Sequence, residues 1–256
     1  MRIKDIILHQ LVLSKRQIIT YFLGMTLCFA SIPTVLSTVF NYGDPVNYTA
    51  STAMPIVALL CGILLGAVNL FKPFEKKSSG IQYAMLPANN MEKYLSGMLF
   101  STFGTLLMIV IAVVCADGIQ ALYNLAMSND VDSMTMETFS KLKTVFLYDS
   151  DGNPCDWGGI LCKVMFLLIY HSVYTLVGSF YRKHAFLKSF ITVNAATLAL
   201  IFIPVVIVAC LNKYLQGTLT VHFLISFDFI GNLICYAFIV FCYWKSYRRF
   251  CRRTIV

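Results

Sequence analysis

Ionisable and strongly polar side chains are sparse in the apolar stretches of this chain, and those few residues are where any chemistry must be sought. Lys163 and Asp228 each stand near the end of an apolar stretch, Tyr170, His171 and Tyr174 cluster in the middle of one, and Asn194 and Asn232 lie in two others. A charge at the centre of a hydrocarbon layer costs about 3 kcal/mol on the mild insertion scale, so each needs a reason to be there. Lys163 and Asp228 lie at similar depth and can pair; alternatively each snorkels to the nearer interface. The tyrosine, histidine and asparagine residues can line a path for a polar substrate. They serve equally well as hydrogen-bond links between helices, at roughly 0.6–2 kcal/mol each. Catalysis is a poorer fit. His9, His171, His184 and His222 are scattered over four elements, and Asp228 is the only acid in an apolar stretch. No zinc-ligand spacing, nucleophile elbow or paired carboxylate occurs, so no acid and base converge. A Gly-x-x-x-x-Gly-Lys phosphate loop is missing too, and Leu95-Ser96-Gly97 lacks the Gly-Gln that would continue an ATPase signature. The sequence predicts no enzyme, no metal site and no cofactor bound by this chain.

The elements that must position these residues are six apolar stretches, at 18–40, 53–71, 98–116, 160–181, 190–211 and 226–244. Each has the roughly twenty residues a helix needs to cross about 30 Å of hydrocarbon. Sixteen Lys and Arg fall in the alternate flanks: Arg2, Lys4, Lys15 and Arg16; Lys72, Lys76, Lys77 and Lys93; Arg182, Lys183 and Lys188; and Lys245, Arg248, Arg249, Arg252 and Arg253. Only Lys141, Lys143 and Lys213 fall in the others. Basic flanks are retained in the cytoplasm, so the sequence predicts an all-α integral membrane protein of six spans with both ends inside. At 58% apolar and 12% charged over 256 residues, the chain is expected to be one transmembrane domain. Its net charge of +8 is juxtamembrane and suits anionic lipid rather than nucleic acid. The mixed sixteen residues before Gln17 and the long apolar run argue for a signal anchor, not a cleaved signal peptide. Seven of nine cysteines lie in the apolar stretches; Cys155, alone in the outside segment, could pair with Cys162, and no disulfide framework can be read.

Ahead of the first span, Ile3, Ile6, Ile7 and Leu11 recur at helical spacing and predict an interfacial helix lying on the inner leaflet. Asn47-Tyr48-Thr49 fits a glycosylation acceptor pattern close to the membrane. In the loop before the third span, Pro87 ends the apolar run 81–86, and Asn89 with Glu92 has the spacing of a capping box, so the next helix should start near Asn90. The segment 117–159 is the one sizeable outside region, with short helices expected at 120–127 and 134–148 and Asp132 or Ser133 as a cap. Asp149 to Pro154 fails the calcium-loop pattern and is expected to be a turn. Trp157 and Trp244 suit the outer and inner interfaces, Pro204 should kink the fifth span, and Gly62 with Gly66 forms a packing face in the second. The stretch 218–244 is longer than an upright crossing requires, so either the sixth span tilts or a re-entrant piece precedes it.

The stretch Tyr83-Ala84-Met85-Leu86-Pro87-Ala88-Asn89-Asn90-Met91-Glu92-Lys93-Tyr94 resembles the Leu-Pro-x-Ser/Asn-x-x-Glu-Lys-aromatic segment between spans two and three of small bacterial ABC-2 type transporter permeases. The six-span plan resembles that family as well. The resemblance implies a permease subunit of an ATP-binding-cassette exporter in the bacterial cytoplasmic (inner) membrane, working as a homo- or heterodimer with separate ATPase chains that hold ATP and Mg. It also implies that the loop carries the ATPase-coupling contact, at Ile81, Tyr83, Met85, Leu86, Pro87, Asn89, Glu92 and Lys93. A non-transporting scaffold or sensor subunit, or a small secondary transporter, are the competing expectations.

Overall fold

The structure, a computed structural model, describes residues 3–40, 52–75, 77–126, 133–149, 152–215 and 228–254. Asn47-Tyr48-Thr49 and the stretch 218–227 lie outside the described residues. Regular structure among the described residues is helical, apart from a single bridge between Tyr148 and Pro154. The helices are α1 (Ile3–Phe40), α2 (Ala53–Asn69), a 3-10 turn (Lys72–Phe74), α3 (Lys77–Ala84), α4 (Asn90–Ala126), α5 (Met134–Leu147), α6 (Trp157–Gly178), α7 (Ala185–Leu215) and α8 (Asp228–Thr254). A helix therefore occupies each of the six apolar stretches. By length and hydropathy, α4 and α6 are sufficient to cross a membrane. Helix α2 and the part of α7 spanning Ala185–Leu200 are apolar but shorter.

Two boundaries differ from expectation. The predicted interfacial helix does not end before the first span; both belong to the single 38-residue α1. No Gly or Pro occurs between Ile3 and Leu23 to break it. Ser14 and Thr20 donate their hydroxyls to the carbonyls of Gln10 and Arg16, one turn back, so the helical ladder runs across the expected junction. Likewise α4 passes the end of the third span and absorbs the short helix expected at 120–127. Its 37 residues reach on the order of 55 Å, well beyond a hydrocarbon layer. Hydropathy marks where water begins, whereas a helix ends only where a cap or breaker ends it. The single glycine in that region, Gly118, is no such breaker.

The chain forms two compact units, Met1–Gly66 with Pro87–Val164, and Ala67–Leu86 with Met165–Val256. In the first, α1 lies along α4 around Phe29, Ala30, Ile109, Ala112, Val113 and Ala116, with Met134 of α5 joining them. From Ile109 onward the buried residues of α4 are Ile109, Ala112, Val113, Ala116, Gln120 and Asn124, one stripe at helical spacing. Its other faces show Phe103, Leu107, Ile111, Val114, Leu122 and Leu125 to the surroundings. Inside the stripe, Gln120 Nε2 donates to the carbonyls of Phe29 (3.0 Å) and Ala30 (3.4 Å), tying α4 to α1. Helix α2 meets α4 through the glycine face. A Cβ on Gly66 would lie 2.6 Å from Thr102 Cα and 2.8 Å from the Ser101 carbonyl, so these two backbones touch.

The second unit is held by an aromatic knot. Phe74 and Tyr83 each meet Phe250 of α8 edge-on, at 5.4 and 6.2 Å between ring centres, and meet one another at 5.6 Å. Phe71 closes the group 6.4 Å from Phe250. Edge-to-face pairs contribute about 0.5–1.5 kcal/mol each beyond the area they bury. Along α6, Ser172, Thr175 and Gly178 are buried, and a Cβ on Gly178 would press on Val68 at 3.2 Å. Small residues here let backbones approach closely.

Candidate functional site

One arm of the predicted capping box forms, the one made by the Glu92 carboxylate. The Asn89 backbone N–H donates to Glu92 Oε2 at 3.1 Å, the Lys93 N–H reaches the Asn89 carbonyl, and α4 begins at Asn90. Around it, the eight residues assigned to coupling divide. Ile81 (44% exposed) and Met85 (78%) face out, as do Pro87 and Asn89, while Leu86 and Glu92 are half-buried. Tyr83 and Lys93 are each 4% exposed. Tyr83 was expected on the outer surface because its neighbours are basic; it instead fills the knot with Phe74 and Phe250. Lys93 is covered along the first turn of α4, and that desolvation pushes its pKa down. Neither residue can be touched by a partner without being pulled from its place.

The intramembrane polar residues divide in a similar way. His171 Nδ1 and the Tyr243 hydroxyl are 2.7 Å apart, linking α6 to α8. Tyr174 is buried one turn along α6, and its hydroxyl accepts from Asn194 Nδ2 of α7 at 3.2 Å. Asn194 also donates to the Phe190 carbonyl in its own helix. Three helices are thus joined by side-chain hydrogen bonds, the geometry that the linking role requires. Tyr170 is engaged by the Phe166 ring at 4.8 Å, and Asn232 is exposed on α8.

Lys163 is held by helix-end carbonyls. Its Nζ donates to the Tyr148 carbonyl at 2.6 Å and the Val145 carbonyl at 2.8 Å, with Cys155 Sγ at 3.4 Å. A cation at the C-terminus of α5 meets the negative end of that helix, which accounts for Lys163 without an acid partner. The side chain of Asp228 lies outside the described residues. Cys155 and Cys162 are free thiols.

The segment after α4 matches its expected shape. Helix α5 starts at Met134 with Ser133 as N-cap, its hydroxyl accepting from the Met136 N–H at 3.2 Å. The turn at 149–154 closes through Asp149 N–H to the Asn153 carbonyl (2.8 Å), with Gly152 at φ 78. Sequence reasoning missed Asp117. Its carboxylate accepts from Ser133 Oγ (2.7 Å) and from the backbone N–H groups of Met134 (2.8 Å) and Thr135 (3.3 Å). It thereby fastens the start of α5 to the side of α4. It also missed Phe250, Tyr243 and Ser246, although Ile239, Cys242, Ser246 and Phe250 recur at helical spacing and are all buried.

No protein-family model, curated protein or solved structure matches this chain.

Proposed function

We propose that this chain is the membrane-spanning permease subunit of an ATP-binding-cassette exporter, with six spans, both ends in the cytoplasm, and ATP and Mg held by a separate ATPase. The bacterial cytoplasmic membrane is its place on this reading, and two permease chains form the pore with two ATPases. The observation that carries it is the loop from α3 to α4. Two apolar side chains, Ile81 in α3 and Met85 just past its end, are exposed in a segment flanked by lysines. Exposed apolar residues in a basic loop imply a partner. The same loop ends in a capped helix start, which fixes where α4 begins. Closure of the ATPases would load this contact and shift the helices attached to it, which alters access between them.

The surface residues define the test. Ile81→Glu with Met85→Glu places charge in the contact while leaving the buried Tyr83 in place. Co-purification with a candidate ABC-type ATPase that the parent chain retains should be lost, and ATPase stimulation with it, while membrane insertion persists. Undiminished co-purification and hydrolysis in the double variant would remove the coupling role from this loop.

A further inference from the structure

The last turns of α8 carry arginines fixed by rings and carbonyls rather than by acids. The Arg249 guanidinium lies 3.4 Å from the centre of the Phe180 ring, and Arg248 lies 4.1 Å from that of Trp244. Arg253 sits over Phe71 at 5.5 Å, and its Nη2 donates to the carbonyls of Ser179 (2.7 Å) and Tyr181 (3.3 Å), just past the end of α6. The other terminal nitrogen, Nη1, is buried and has no acceptor among the described residues. Burial lowers the pKa of Arg253, and the charges of Arg182 and Arg249 push it down further. Arg249 stands on Phe180 and Arg253 on the carbonyls of Ser179 and Tyr181, which gathers both around the segment that ends in Arg182, so like charges meet there.

Among the described residues no carboxylate is paired with that charge. The acids of the compact unit are Glu75 and Asp228 alone. Asp228 opens α8, about 37 Å along the helix from Arg253. No carboxylate among the described residues lies within ion-pair distance of Arg182, Arg249 or Arg253. Further positive potential comes from Lys183, from Lys188 set against Tyr181, and from the N-terminus of α7 at Ala185. His184, just before that helix, holds a left-handed φ of 52, and Ser189 Oγ in the next turn is buried without a partner. A merely solvated basic face would spread its arginines into water and keep them apart. Here rings and carbonyls gather them.

We infer that Arg182, Arg249 and Arg253 form a binding site for a phosphate group. The planar guanidinium fork matches phosphate oxygens two at a time, and an anion at this point removes the repulsion that the fold leaves standing. The phosphate can belong to a lipid headgroup or be free in solution. Exposed Phe180, Leu187 and Phe190 on the adjoining loop and first turns of α7 are placed to meet an acyl chain.

The experiment uses the full chain purified in detergent, with phosphatidylglycerol, phosphatidylcholine and inorganic phosphate as probes, read by native mass spectrometry and by thermal unfolding. Phosphatidylglycerol should be retained in preference to phosphatidylcholine and should raise the melting temperature. The double variant Arg182→Gln/Arg249→Gln, which leaves the Arg253 contacts alone, should weaken retention by about tenfold or more. Without any probe it should unfold no earlier than the parent, because a repulsion has been relieved. Arg182→Lys/Arg249→Lys, retaining charge but not the fork, should fall between. If inorganic phosphate stabilises the parent and displaces the lipid, the site reads the free group; if only the lipid binds, the source is the membrane. Equal retention by parent and double variant, or no binding of either phosphate probe by the parent, overturns the site. The assay contains no ATPase, so its outcome is separate from that of the transport reading.

Discussion

Replacing Gly66 by Ala tests the α2–α4 contact, because two opposing effects can be weighed. Alanine in place of a helical glycine ordinarily stabilises by about 0.5–1 kcal/mol through backbone entropy. At Gly66 the new methyl would meet Thr102 Cα at 2.6 Å and the Ser101 carbonyl at 2.8 Å. Backbone atoms cannot swing aside, so α2 and α4 must part by about 1 Å. Overpacking of this kind costs about 1–3 kcal/mol, and a gap of that size forfeits a quarter to a half of each dispersion contact along the seam. The net expectation is a loss of about 1–2 kcal/mol. Gly62 is the internal control. There the obstruction is the tip of the Ile109 side chain, with the next atoms at 3.8 and 3.9 Å. A rotamer change of about 0.5–1.5 kcal/mol relieves it, so propensity and strain nearly cancel. Thermal unfolding of the two single variants in detergent should place Gly66→Ala clearly below the parent and Gly62→Ala near it. Equal melting temperatures for all three proteins, or Gly62→Ala as the weaker, would refute the close backbone approach.

Two further outcomes are expected. Asp117→Ala removes three hydrogen bonds from the start of α5, a loss of about 1–2 kcal/mol that should appear as faster amide exchange at Met134 to Glu137 with α4 unchanged; unaltered exchange would mean that Ser133 caps the helix alone. For the six-span topology, cysteines placed at Lys143 and Arg252, both exposed, should react differently in intact cells once the native thiols are replaced: 143 labelled by an impermeant reagent and 252 protected. Labelling at 252 would reverse the assigned orientation.

What was legible in the sequence was local. The Asn89–Glu92 box, the Ser133 cap and the 149–154 turn each depend on residues within a few positions, and side-chain chemistry settles them. The glycine face was legible for a similar reason, since Gly62 and Gly66 lie one turn apart. Helix ends without caps were not. The reading placed breaks near Arg16 and after Ala116 because polarity changes there, yet Ser14, Thr20 and Gln120 are all accommodated in continuing helices. Burial was the other gap. Tyr83 lies among lysines in sequence, and only the distant Phe250 determines that it turns inward. Asp117 lies sixteen or more residues from the groups it binds, Ser133, Met134 and Thr135, so no local pattern marks it.

The burial of Tyr83 changes how force would travel if the loop is a coupling element. The sequence placed the load on Pro87 and the capped start of α4, through chain continuity alone. In the structure α3, which bears Ile81 and ends just before Met85, is fastened through Tyr83 to the knot of Phe71, Phe74 and Phe250, so a push on its outer face bears first on α8. Helix α8 in turn is bonded to α6 at three levels: Tyr243 to His171, Ser246 to the Thr175 carbonyl, and Arg253 to the carbonyls beyond Gly178. Side-chain hydrogen bonds between helices are individually modest, about 0.6 kcal/mol on average in a membrane protein. Three of them spaced along one pair of helices resist sliding more than separation, because each has to break when the register shifts. A load entering at α3 would therefore tilt α6 and α8 together as one body, with His171, Ser246 and Arg253 as the rungs that make them move as one.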